Sequence, residues 1–111
     1  MDKLNHYRQI IVTVLDPYSQ ISYANLNIRN CKVFDLINDQ YLILSEGWEN
    51  QRHIHSCLIH VEILNHKVWI QCDNTEYGIT NDLLKAGISQ EDIVLGFHEP
   101  TVRKYTGFGV A

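Results

Sequence analysis

Six histidines in a chain of 111 residues raise the question of a metal site, and the pair His53-x-His55 sharpens it. Residues two apart on a strand share a face, so both imidazoles would present to one side, as some zinc and iron sites require. His60 has the opposite parity and points to the other face, which leaves only His98 or a distant carboxylate as a third ligand. The plainer reading puts His53 and His55 at the exposed end of a strand, and no metal or other cofactor is expected. Asp73, Glu76 and Asp82 offer a second set, of the kind that holds a hard divalent cation in nucleases. Asp73 and Glu76, however, stand where a helix start wants acceptors and negative charge. No lysine lies among them, so capping is the preferred account. Cys57 and Cys72 fall in strand-like segments, where a free cysteine behaves as a small buried hydrophobe. Neither has a third group to orient a Cys–His nucleophile pair. Glycine-rich phosphate loops and dinucleotide fingerprints are absent.

One polar cluster remains: His98, Glu99, Arg103, Lys104 and Tyr105, around Pro100. A partner-binding surface and a plain ion-paired surface explain it equally well. Exposed ion pairs add little stability, so an Arg103 buried against a carboxylate would mark a structural role.

The elements that position these groups centre on Arg52–Asp73. This stretch reads as two strands, RHIHSCLIHVEIL and KVWIQCD, joined by Asn65-His66. Asn tolerates the positive φ of a two-residue turn, whereas His66 is a poorer second residue than Gly, which leaves a slightly longer loop open. Alternation places Cys57, Ile59, Val61 and Ile63 on one face, and Leu58, His60, Glu62 and Leu64 on the other, together with Trp69 and Gln71. The second face is only half polar. The C-terminal segment alone and another subunit are equal candidates to cover it, which adds His60 and Trp69 to the candidate partner-binding residues.

Before the hairpin, Asp2 to about Tyr18 reads as an amphipathic helix. Leu4, Tyr7, Ile10, Ile11, Val14 and Leu15 share a face, Asp2 caps the start and Pro17 helps to end it. Ser19–Asn30, rich in Ser, Asn and Tyr, reads as a loop or, alternatively, a partner-binding segment. Cys31–Ile37 and Tyr41–Trp48 are strands about an Asn38-Asp39-Gln40 turn, and Gly47-Trp48 with Glu49-Asn50-Gln51 turns into the hairpin. Links this short force an antiparallel meander. After it, a helix is expected from about Glu76 to Ala86, capped by Asp73 or Thr75 and closed by Gly87. Ser89 and Asp92 are spaced as in a capping box, and Ile93-Val94-Leu95 is a short extended piece. The apolar tail GFHEPTVRKYTGFGVA should be tied down. The expected fold is α+β: an N-terminal helix packed on a four-stranded antiparallel meander sheet, then one or two short C-terminal helices and an ordered tail. A single domain over residues 1–111 is expected.

Composition narrows the function classes. With 45% hydrophobic and 20% charged residues the chain is an ordinary globular one. Nine basic residues against thirteen acidic ones, net charge −4, leave no electrostatic footprint for nucleic acid beyond the small Arg103-Lys104 pair. Three scattered cysteines make no disulfide framework. The charged start MDKLNHYRQ and the lack of a long apolar run point to a cytoplasmic protein without a membrane span.

Laid out in this way, the chain resembles the XisI family, the fdxN element excision controlling factors. The resemblance runs from MDKLNHYRQII through FDLINDQYLIL, GW and KVWIQCDNTEYGI to EDIVLGFHEPTVRKYTGFGVA. Asn65-His66 replaces an Asp-Gly turn, Asn74 a Gly and Gly109 an Ala, differences that bear on turn geometry alone. The resemblance implies an accessory, non-catalytic role in programmed excision of a DNA element in differentiating cyanobacterial cells. It also implies an XisH-type companion protein and a separate site-specific recombinase as partners. The family offers no catalytic residues to carry over. The acidic balance agrees with work through protein contacts, with self-association into a homo-oligomer among them. A small metal-dependent nuclease, or direct DNA binding through Arg103 and Lys104, are the alternatives.

Overall fold

The computed structural model describes residues 2–23 and 27–110. The 24–26 part of the expected Ser19–Asn30 loop, and the last residue of the tail, lie outside the described residues. Helix α1 spans Lys3–Leu15, with the Asp2 carboxylate accepting from the Leu4 N–H at 3.0 Å. It ends three residues earlier than the periodicity predicts. Pro17 has no N–H to continue the ladder, and Asp16–Gln20 tightens into a 3-10 turn.

A five-stranded sheet follows in the order β1-β2-β3-β4-β5: Asn27–Asp35, Gln40–Glu49, Arg52–Leu64, Lys67–Asp73 and Ile93–Leu95. The first four form the expected antiparallel meander. The expected count of four strands is corrected to five, because Ile93–Leu95 pairs parallel with β4. Helix α2, Thr80–Ala86, lies in the connection and supplies the crossover length that a parallel return needs.

Local turn chemistry explains where boundaries move. Asn65 and His66 both adopt positive φ, 53° and 66°, so the two-residue turn forms despite the histidine. β1 begins at Asn27, where the sequence suggested Cys31, since its first residues pair with Glu46–Trp48. It stops at Asp35, whose carboxylate accepts from the Ile37 and Asn38 N–H groups and turns the chain. Gly47-Trp48, expected in the turn, remain in β2, and the turn is Asn50-Gln51 with Asn50 at φ 56°.

Two capping expectations fail. α2 starts at Thr80, where about Glu76 was expected, because the Asp73 carboxylate takes the Thr75 N–H and hydroxyl and then the Ile79 N–H, holding 74–79 in a turn ahead of the helix. Gly87 does close α2, at φ 121°. Ser89 makes no capping-box bond. Asp92 instead accepts from the Tyr7 hydroxyl at 2.6 Å and pairs with Lys3 at 2.9 Å, tying α1 to the entry of β5. Burial pushes the Asp92 carboxyl up, but these two donors outweigh it and hold the pKa below its usual value.

The core lies between α1 and one sheet face. Tyr7, Ile10, Ile11 and Leu15 meet Tyr41, Ile43, Ile59, Val61, Val68 and Ile70, with Ile79, Leu83 and Ile93 closing one side. At its rim Arg8 donates to Asp39 at 2.7 and 3.1 Å, and the Tyr41 hydroxyl donates to the same carboxylate at 3.0 Å. Chiefly through the Arg8 bonds, the Asp39 pKa falls below its usual 3.8. A depressed carboxylate contributes stability that is fully present above the unfolded-state pKa and lost as pH falls through the folded one. Asp39→Asn should therefore destabilise the protein at neutral pH, by an amount that shrinks below about pH 4. Urea midpoints measured on both proteins from neutral to acid pH check this; a constant gap would show that the charge is not what matters.

Candidate functional site

Two β-bulges decide what shares the face away from α1. In β3, Ile59 pairs with Ile43 while Cys57 pairs with Leu44, so two residues of β3 answer one step of β2. Simple alternation fails across that step. Ile59, Val61 and Ile63 face the core as expected, but Cys57 moves to the second face and Leu58 packs against the core. The same shift corrects His60. It pairs with Leu42, His55 with Glu46 and His53 with Trp48, which sets all three histidines on one face. The second bulge, in β4 near Gln71, brings Cys72 opposite His60.

This second face is covered at one end only. Trp69 is buried; its indole N–H donates to the Leu64 carbonyl, and the Arg103 guanidinium lies 5.1 Å from its ring centroid. Arg103 also donates to the carbonyls of His98 and Gly96 at 3.1 and 3.2 Å. It is half-buried and makes no carboxylate pair among the described residues. The tail is fixed further by the Gly109 N–H donating to the Ile93 carbonyl at 2.6 Å, beside a parallel bridge between Gly109 and Val94. Over β1–β3 the face stays open. Val33 is 46% exposed, Trp48 49% and Leu64 43%, with Leu42 and Leu44 partly exposed between them.

The candidate partner-binding residues are thus divided. Trp69 and Arg103 hold each other, and His60 is half-buried with its Nε2 2.8 Å from the Gln40 side-chain oxygen. His98, Glu99, Lys104 and Tyr105 stand exposed on the outer side of the tail. The Glu99 carboxylate accepts from Thr101, and Lys104 lies 5.1 Å from the Tyr105 ring.

The metal candidates do not converge. The His53 and His55 rings lie 6.3 Å apart, but His53 stacks on Trp48 at 4.7 Å and sits 3.5 Å from Glu46, itself paired with Arg29. Asp73 is occupied by its turn. No group of three His, Cys, Asp or Glu among the described residues could hold an ion. Cys57 and Cys72 are free and only half-buried, a departure from the core positions expected of them, again through the bulges. Burial, and then the neighbouring Cys72 thiol, pushes the Cys57 pKa up to about 11, which keeps it protonated and weakly nucleophilic.

One concave feature escaped the sequence reading. On the α1 side, Tyr18, Ile21, Tyr23, Leu58, Asn74, Thr75, Glu76 and Tyr77 line a cleft of about 360 Å³. The bulge that turns Leu58 inward makes part of its lining. Its signal was the Tyr-rich run after α1 together with Glu76-Tyr77, two segments far apart in sequence that only the fold brings together. No helix among the described residues is long and apolar enough to cross a membrane.

Comparison with known proteins adds the lineage. No curated protein matches the chain. A crystal structure of a XisI-like protein from Anabaena variabilis ATCC 29413 superposes with a TM-score of 0.91 at 30% identity, covering 98% of this chain and 100% of that one. The fdxN element excision controlling factor XisI from the same organism superposes with a TM-score of 0.86 at 37% identity, covering 99% and 100%. The family model described as XisI protein matches residues 1–110. With sequence and backbone agreeing over this length, the chain belongs to the XisI family.

Proposed function

We propose that this chain is a non-catalytic accessory factor in the programmed excision of a DNA element, working through protein contacts. The open part of the second sheet face carries the reading. Val33, Leu42 and Leu44 leave an adjoining apolar surface on a rigid sheet, separated from Trp48 and His53 by Glu46 and His55 at one end and from Leu64 by Gln40 and Glu62 at the other, and exposed apolar surface marks contacts. Exposed on the tail over the other end of the face, His98, Glu99, Lys104 and Tyr105 offer polar and aromatic groups. The role in excision is taken from the relative named as an fdxN element excision controlling factor. The partners it implies are an XisH-type companion protein, a site-specific recombinase or another copy of this chain. Arg103 is engaged with the tail and Trp69, so the basic pair presents Lys104 alone, too little for a phosphate-driven interface.

A pull-down of the tagged protein with the products of its neighbouring genes tests this. Capture of a companion is expected, weakened about fivefold or more by Val33→Glu and by the pair Lys104→Ala/Tyr105→Ala, since truncating a central contact typically costs over ~1 kcal/mol. All three positions are exposed, so the fold should survive. Sedimentation of the protein alone separates self-association from capture. An absence of any partner, itself included, would refute the proposal.

A further inference from the structure

The cleft on the α1 side has a chemical character of its own. Its walls carry three tyrosine side chains, from Tyr18, Tyr23 and Tyr77, with Leu58 and Ile21 between them and the Glu76 carboxylate beside them; no lining residue is basic. Both walls are held from behind. Asn30, a buried polar residue, donates to the Tyr18 carbonyl at 2.8 Å and to the Tyr23 hydroxyl at 3.1 Å, and its own oxygen accepts from Ser45 at 2.7 Å. Across the cleft, the Asn74 side chain donates to the Cys57 carbonyl at 3.1 Å, and Thr75 is fixed by its two bonds to Asp73. Asp82 and Asp73 add negative charge: after burial, these two carboxylates are the groups that push the Tyr18 hydroxyl above its usual pKa. A concave site of ~300 Å³ or more, apolar with a few convergent polar groups, is what ligand seats look like. Aromatic rings beside carboxylates attract organic cations, and they favour the planar, weakly hydrated guanidinium over a compact ammonium.

We propose that this cleft seats the arginine side chain of a protein partner, its guanidinium among Tyr18, Tyr23 and Tyr77 and its charge met by Glu76. The proposal rests on the reading that the chain works through protein contacts, and it assigns that work a second surface, on the side of the sheet opposite the open apolar face. Tyr77, 88% exposed, stands at the mouth and meets the partner first. The preference for a cation over an apolar anchor follows from the acidic groups on and behind the wall.

Titration of the 15N-labelled protein with N-acetyl-arginine amide, followed by amide chemical shifts, tests the seat without any partner. Saturable shifts at Tyr18, Leu58 and Thr75 to Tyr77 are expected, with weaker binding of the lysine analogue. The uncharged citrulline analogue should bind at least about threefold more weakly, as should the arginine probe to Glu76→Gln and Tyr77→Ala. Both substituted residues are exposed, so the fold should persist. No saturable shift, or citrulline binding as well as arginine, would overturn the cation seat while leaving the pull-down result standing. Binding of the probe with partner capture unchanged in Glu76→Gln and Tyr77→Ala would overturn the protein occupant and point to a free organic cation. Loss of all capture in the unsubstituted protein would instead refute the reading on which the proposal rests.

Discussion

Gly47→Ala should destabilise the protein by at least about 3 kcal/mol, beyond the usual range for an added methyl group. A Cβ at Gly47 would lie 2.0 Å from the Asn27 carbonyl oxygen and 2.7 Å from the Ile28 Cα. Both atoms are backbone of β1, so no side chain can swing aside. Either β1 moves away over its first residues or β2 buckles, and each breaks ladder bonds between Asn27–Arg29 and Glu46–Trp48. Urea unfolding gives the loss, and loss of hydrogen-exchange protection confined to Asn27–Arg29 locates it. A midpoint within experimental error of the parent would show that the two strands are not in this contact.

Ile11→Ala should cost about 2–5 kcal/mol, the range for truncating a fully buried aliphatic side chain. Ile11 is 0% exposed and sits in the middle of the α1 stripe that covers the sheet. The helix has 13 residues and no acidic residue in its first turn or basic one in its last, so beyond the Asp2 cap and its ties to Asp39 and Asp92 it depends on packing. The cost should appear as a lower urea midpoint with an unchanged slope. A change below ~1 kcal/mol would mean that the site collapses around the smaller side chain, contrary to the close packing described.

Much of this architecture is legible in the sequence because single local signals set it. The period of Leu4 to Leu15 gives α1, and Asn65-His66 gives the central hairpin with both strands at their observed bounds. What alternation could not show is where it breaks. A bulge costs one residue of register and carries no residue signature here, yet it moves Cys57, reunites His60 with His53 and His55, and turns Leu58 inward. Parallel pairing of Ile93–Leu95 was hidden for a related reason, since three apolar residues do not say which strand they join. The site residues follow the same division. Arg103 is legible from its polar cluster and Trp69 from its place on the second face, but their mutual contact depends on the path of the tail. The tyrosine cleft depends on Asn30, whose role as a buried brace lies in tertiary hydrogen bonds alone. Asp73 could be recognised as a turn or cap acceptor, but not which N–H groups it would choose.

The bridge from Gly109 to Val94 has a wider effect than anchoring the terminus. It occupies the outer margin of β5 beside Ile93 and Val94, which closes that part of the sheet to an incoming strand. Growth of the sheet by strand addition is then left to β1 and to Arg52–Ser56 of β3, which runs past the end of β4. Along β1 the exposed Arg29 and Lys32, paired with Glu46 and Asp16, make addition selective, because an incoming strand has to accommodate these ion pairs.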